Sequence, residues 1–548
     1  MNYCRLFILF ACICMQGYGK KPAAVPHHYF ISNTGDDHNN GLSSKTAWRS
    51  LQKLNEQTLQ PGDKVLLKGG EEFEGTIVLN SLDNGTGTSP ITISSYGTGD
   101  AVINAGNSAG LKADNVSHIR LTHLHFKGAG VDANQASGIH FYTDKTVSAC
   151  RDITIDSCIA EGFHDCGIYF SCAEIKNVKG YQQVRITHCI ATANGEAGIS
   201  SVGEQTGYHH TDFYIGYCKA YLNKGIVSKT ENHSGNGIVM GGVEHILIEH
   251  CEAFENGELN RCTAGGPVGI WLWLCKDGVI QYCESHHNHA GLTKDGGGFD
   301  IDGGAANCIL QYNYSHDNEG AGYLLAEYGA VLPFTHNTIR FNISQNDGRK
   351  NNYGGISIWG VDSTYKVTES YVYNNTIYVN DQRLVNGTPS AVLLMDNHFS
   401  GVLVANNIFI SSGNALLVSG NAETDSSVIQ FLGNRYYAES NRYNFVYNVN
   451  PLHSIKDWQQ ITNSHERSAK NILDNTGNPE LVAQGTGTTI ADTKNIPFLL
   501  GGYQRKSAAG LLHTAIDLQK KFNIHPGQHD FFKRTITAKT IPFVGAAL

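Results

Sequence analysis

The chain has 548 residues, enough for one large core or for two or three ordinary domains. Only 16% are charged, with 61 Gly against 12 Pro, a balance too hydrophobic for disorder and too Gly-rich for a helical bundle. Lys+Arg 40 against Asp+Glu 49 gives a formal charge of −9 with no basic run, which argues against a nucleic-acid partner and mildly against a strongly anionic polymer.

The N-terminus reads as a secretory signal over residues 1–19. Arg5 precedes an apolar run, Leu6 to Met15, of signal-peptide length and too short to span a bilayer. Gly17 and Gly19 suit cleavage after Gly19; the alternative, a lipoprotein cysteine at Cys12 or Cys14, lacks a small-residue lead-in. No other segment is long and apolar enough to cross a membrane. The expected location is secreted, periplasmic or cell-surface. Cys4, Cys12 and Cys14 leave with the signal, so 11 of the 14 Cys remain, an odd number for a disulfide framework.

One pattern then recurs along the chain. Cys158, Cys189, Cys218, Cys251 and Cys283 are continued by Asn313, Asn342, Asn375, Asn407 and Asn434 at intervals of 31, 29, 33, 32, 30, 29, 33, 32 and 27 residues. A period in this range signals a solenoid. Each unit carries short alternating runs such as His245–His250 and Gly355–Trp359, which are strand patterns, while the helical i, i+3, i+4 pattern is missing. About three short strands separated by Gly, Asn and Asp make one coil of a parallel β-helix. Equivalent residues in neighbouring coils then lie ~4.8 Å apart. The Cys/Asn column is expected to be an internal ladder, in which Cys acts as a small hydrophobe rather than a disulfide or zinc ligand. Asn288 and Asn318 are expected at turns.

The repeat resembles the pectin-lyase-like right-handed β-helix superfamily, and two flanks point to its bacterial carbohydrate-active branch. Tyr29–Asp37, Asn40-Gly41, Trp48–Leu51 and Pro61–Val65 are similar to its N-terminal cap. Asp530-Phe531-Phe532 with Val544-Gly545-Ala546 is similar to its closing segment, with Lys533 where Gly is usual. The expected fold is all-β, a single-stranded right-handed parallel β-helix with terminal caps. Residues 20–105 form the cap and first coils, with an amphipathic helix near Ala47–Leu54; 106–440 form coils; 441–548 hold a helix near Ile455–Ile461 and the closing segment. The resemblance implies an exported enzyme acting on a polysaccharide, and leaves the reaction open because many activities share this scaffold.

The resemblance also implies that the Gly-Ile-x-Leu strand floors the substrate groove. Alternation then turns Ile270, Phe299, Tyr323 and Ile356 inward, and turns Trp271, Trp273, Asp300, Asp302 and Trp359 outward. Paired acids beside indole rings suit a sugar, whose C–H face stacks on the ring while the carboxyls meet hydroxyls or the glycosidic oxygen. Residues i and i+2 on a strand lie ~6.6 Å apart, nearer the carboxyl spacing of inverting than of retaining glycosidases, although rotamers can span that gap. The favoured reading is a glycoside hydrolase with Asp300 and Asp302 as acid and base or nucleophile, Glu327 as a third acid, and Trp271, Trp273, Trp359, Lys294, His289 and Tyr323 along the groove. Asp277, Asp295, His286 and His287 lie on nearby turns, and His286 and His316 occupy matching repeat positions. No cofactor is required. Two alternatives remain open: a lyase acting on a uronate, with calcium on Asp300 and Asp302 and Lys294, His289 or Tyr323 as base, and a non-catalytic carbohydrate-binding surface protein.

Overall fold

A computed structural model describes residues 25–548 except 397, 422–426, 463–464, 469–470, 473–474, 491, 507–514 and 538–539. The expected signal segment and its cysteines lie outside the described residues. Strands stack into three long sheets. The first, of 14 strands, runs from His28–Ile31 to Ile429–Leu432; the second, of 14, from Ile77–Leu79 to Asn450–Leu452; the third, of 13, from Glu72–Glu74 to Arg435–Ala438. Each sheet is built of parallel pairs between coils until the last pair of the second sheet, Phe445–Tyr447 with Asn450–Leu452, turns antiparallel. This is the expected parallel β-solenoid.

The register follows the alternation. Ile168, Ile199, Ile238, Ile270, Phe299, Tyr323 and Ile356 pair coil to coil in one inward column and are fully buried. The Cys/Asn column is internal too. All eleven described cysteines are free and buried, and Cys189 Sγ donates to the Thr187 carbonyl at 3.2 Å. Asn342 accepts the Asn313 N–H at 2.9 Å through Oδ1 and donates from Nδ2 to the Leu310 carbonyl at 2.8 Å, so each amide satisfies backbone that the corner leaves unpaired. The turn asparagines Asn194, Asn223, Asn256, Asn288 and Asn318 form a second internal ladder, which ends on Asp347.

The residue before each member of the Cys/Asn column takes the left-handed conformation, with φ of 52–58° from Ser157 through His188, Tyr217, His250, Tyr282, Tyr312, Phe341, Asn374 and Asn406. Left-handed backbone costs a side chain roughly 1–2 kcal/mol, and the ladder bonds hold it in place. That corner throws rings outward into a continuous stack, His188 on Tyr217, Tyr217 on His250, His250 on Tyr282, Tyr282 on Tyr312 and Tyr312 on Phe341.

Both caps contain the expected helices. Leu51–Asn55 begins at Ser50, whose hydroxyl accepts the Lys53 N–H, and it buries Leu51 and Leu54. Ile455–Thr462 closes the far end by stacking Trp458 on Phe445 and setting it edge-on to Phe431. The C-terminal segment does more than close that end. It returns along the outside of the third sheet and covers the aromatic stack: His529 lies on Tyr312, Lys494 over Tyr217, and Thr493 donates to the His250 carbonyl. Lys533, where Gly was expected, has φ +63°, which is the conformation that favours Gly there.

Candidate functional site

Four consecutive strands of the second sheet carry the site: β1 (Val268–Trp273), β2 (Gly297–Ile301), β3 (Tyr323–Glu327) and β4 (Gly354–Gly360). Phe299 and Ile301 point into the core, so Asp300 and Asp302 point outward as expected. The outer face has two rows, and they differ sharply in access. Val239, Trp271, Asp300, Leu324, Ser357 and Leu393 form the first row, all of it buried under loops that enter the second sheet. The second row runs from Gly241 through Trp273, Asp302, Ala326 and Trp359 to Met395; Trp273, Asp302, Trp359 and Met395 keep part of their surface open.

This separates the two acids. Asp300 is 3% exposed and its Oδ1 has no hydrogen-bond partner among the described residues. Burial pushes its carboxyl well above the usual range, and the neighbouring charges of Asp302 and Asp295 push the same way. Asp302 is half-buried; its Oδ1 accepts the Gly303 N–H at 2.8 Å. Burial lifts it to about 8 against the pull of that N–H, with Asp295 and Glu327 adding to the rise. At neutral pH this carboxyl holds its proton, as a general acid must. A third acid joins them. Asp295, on the turn before β2, accepts the Tyr353 hydroxyl at 2.8 Å on Oδ1 and the Gly266 N–H at 2.8 Å on Oδ2. Burial raises its carboxyl, while those two donors and the Lys294 charge favour its anion. The sequence placed Asp295 only on a turn near the paired acids. Its contact with Tyr353, 58 positions away, carries no local signal.

Three other expectations change. Trp271 is 5% exposed and donates from Nε1 to Asn236 Oδ1 at 3.1 Å beneath His233, so it supports the wall rather than the floor. Tyr323 is a core residue whose hydroxyl donates to the Asn313 and Ile343 carbonyls, out of reach of any substrate or proton. Glu327 is buried, and its carboxylate accepts the N–H groups of Gly304, Gly329 and Ala330, which makes it the clasp of the turns after β2 and β3 rather than a reacting acid. His289 is held by Glu319 at 3.2 Å. Lys294 is exposed at the rim, and Trp359, also at the open row, donates to Asp396 Oδ2 at 3.1 Å. His286 and His316 do match in register, but on strands of the third sheet, away from these acids.

Glycine shapes the open row. A Cβ on Gly241 would lie 2.3 Å from the Trp273 indole, and one on Gly303 would lie 2.4 Å from the Tyr328 ring, so both rings lie directly across glycine backbone. A polar hollow of about 730 Å³ lies on one flank, lined in part by Lys179, Glu204, Tyr208 and His209, and Tyr208 reaches the Gly304 carbonyl at 3.4 Å. A smaller one of about 260 Å³, lined by Glu327, Ala330, Phe334 and Tyr365, lies on the other. Among the described residues, the side-chain groups spaced to hold a metal do not include Asp300 or Asp302, and no helix is long and apolar enough to cross a membrane.

The fold defines a parallel β-helix protein, and residues 207–377 match the family described as right handed beta helix region. Among individual proteins, the chain is 28% identical over 487 residues to lacto-N-biosidase of Bifidobacterium longum subsp. longum, an alignment covering 70% of this chain. It spans only 29% of that longer relative. Two crystal structures of a GH136 lacto-N-biosidase from Eubacterium ramulus superpose with TM-scores of 0.50 (native) and 0.51 (selenomethionine), at 19% and 20% identity. Each superposition covers 67% of this chain and 65% of that one. These likenesses agree on the fold.

Proposed function

We propose that the protein is an exported glycoside hydrolase that cleaves an oligosaccharide or polysaccharide along the open row of the second sheet. Asp302 is the general acid: it is the accessible carboxyl whose surroundings keep it protonated at neutral pH. Asp295, hydrogen-bonded by Tyr353 and Gly266, is the carboxylate that attacks the anomeric carbon or activates water for that attack. Asp300, too buried to touch a sugar, positions Asp302 and keeps charge from accumulating beside it. Trp273 and Trp359 flank the acid along the row and offer ring faces to neighbouring sugars.

The observation that carries this reading is the partly open Asp302 with its raised carboxyl between two partly open indoles. The lacto-N-biosidase relative supports hydrolysis over elimination, and a lacto-N-biosidase activity is the first to test. The lyase reading loses its tyrosine base to the core. The test is a glycan panel scored for new reducing ends and for the ultraviolet absorbance of an unsaturated product. Reducing ends without absorbance, lost in Asp302→Asn and Asp295→Asn while folding is intact, is the expected result. Absorbing product, or full activity in both variants, overturns it.

A further inference from the structure

We infer that Glu284, His286 and His316 form a buried site for a divalent transition metal of the zinc class, clamped between the third sheet and the returning C-terminal segment. Glu284–His286 and Tyr314–His316 are neighbouring strands in that sheet, paired Glu284 to Tyr314 and His286 to His316. Ser285 and Ser315 face inward between them, so the acid and both imidazoles stand on the outer face. The imidazoles stack with centroids 4.7 Å apart, and one ligand atom from each of the three residues lies within 4.8 Å of the others. All three are buried.

Three contacts shape this cluster toward a cation. Glu284 Oε2 is buried without a hydrogen-bond partner among the described residues, while Oε1 accepts from His316 at 3.1 Å and from the Ile490 N–H at 2.7 Å. His316 Nδ1 is held by Asp317 at 2.9 Å, the carboxylate–histidine arrangement that aims the other ring nitrogen at a metal. Glu252 Oε1 lies 3.3 Å from His286 Nε2, a further oxygen beside the same face; His287 Nδ1 lies 2.9 Å from His286 Nδ1. Two imidazole nitrogens with carboxylate oxygen are a donor set that zinc takes, whereas calcium and magnesium prefer oxygen alone. Zinc–nitrogen bonds of ~2.0–2.1 Å require the ligand atoms to draw together from the 4.8 Å that bounds their spacing.

The location gives the site a consequence. Ile490 donates directly to the ligand carboxylate, and Gly487 both donates to and accepts from Gln345 on the next strand. A metal held here ties the C-terminal segment to the coils, so its binding adds to folding stability. This site is remote from the second-sheet acids, and its test does not depend on activity.

The full-length protein, stripped with a chelator and dialysed, is titrated with Co2+ and separately with Zn2+. The expected result is one equivalent bound, visible d–d absorption from Co2+, a rise in Tm with Zn2+, and slower proteolysis around residues 486–504. His286→Gln and His316→Gln are expected to lose all four, while Asp277→Asn, in the partly exposed Glu244, His245, Asp277 group on the first sheet, keeps them. Absence of Co2+ absorption together with an unchanged Tm in the wild-type protein overturns the site and leaves the trio as an ion-pair cluster. Equal uptake by the His variants overturns it as well.

Discussion

Two carboxyls two positions apart on one strand meet different fates, because the rows they occupy differ in cover. Asp300 is sealed in and Asp302 reaches the open row. Both are raised, so both protonated forms are favoured by the fold. For such a group stability is fully present below the ordinary carboxyl range, near 4, and is lost as pH rises toward the folded-state value, about 8 for Asp302. An asparagine does not titrate. Asp302→Asn is therefore expected to have a Tm advantage over wild type that grows from pH 4 to 8, measured by thermal unfolding at matched ionic strength. The same substitution is expected to lower kcat by about 10²–10⁴-fold on natural linkages. Much of this was readable from alternation, which puts both acids outward. The same alternation turns Tyr323 inward, and its hydroxyl is duly bonded to two core carbonyls. Glu327 was not readable as a clasp, since its three donors come from two successive turns whose paths the residue pattern leaves open.

At the scale of elements, the coil corner is the unit that repeats. Its ladder residue bonds the backbone, and the residue before it turns left-handed and carries a ring outward. Asn342→Ala removes the acceptor of a buried Asn313 N–H and the donor to the Leu310 carbonyl. Each buried group left unpaired costs about 1–3 kcal/mol, to be read as a lower denaturant midpoint with unchanged m-value. On the second sheet, Gly241→Val is expected to push the Trp273 indole off its glycine seat and raise KM more than it lowers kcat, in steady-state kinetics on an oligosaccharide. The period of about 30 residues made the ladder legible. The wall over Trp271 and Asp300 was not, because loops of irregular length build it, and the contacts to Asn236 and Tyr353 join residues far apart in the chain.

At the scale of the molecule, a solenoid displays long rows of side chains, and loops decide which rows reach solvent. The parallel coils and both cap helices follow from pattern and capping. The path of the C-terminal segment does not, although the rings it covers, Tyr217, His250, Tyr282, Tyr312 and Phe341, recur with the coil period immediately before the Cys/Asn column. The central claim is that Asp302 delivers a proton to the departing sugar oxygen. The most direct measurement compares wild type and Asp302→Asn on two glycosides of one sugar, one with an alcohol leaving group and one with an acidic nitrophenol that needs no proton. The account predicts a large loss on the alkyl glycoside and a small one on the aryl glycoside. It also predicts a wild-type kcat/KM that falls above pH about 8 on the alkyl substrate. Equal losses on both substrates, or a pH profile flat through that range, would contradict it.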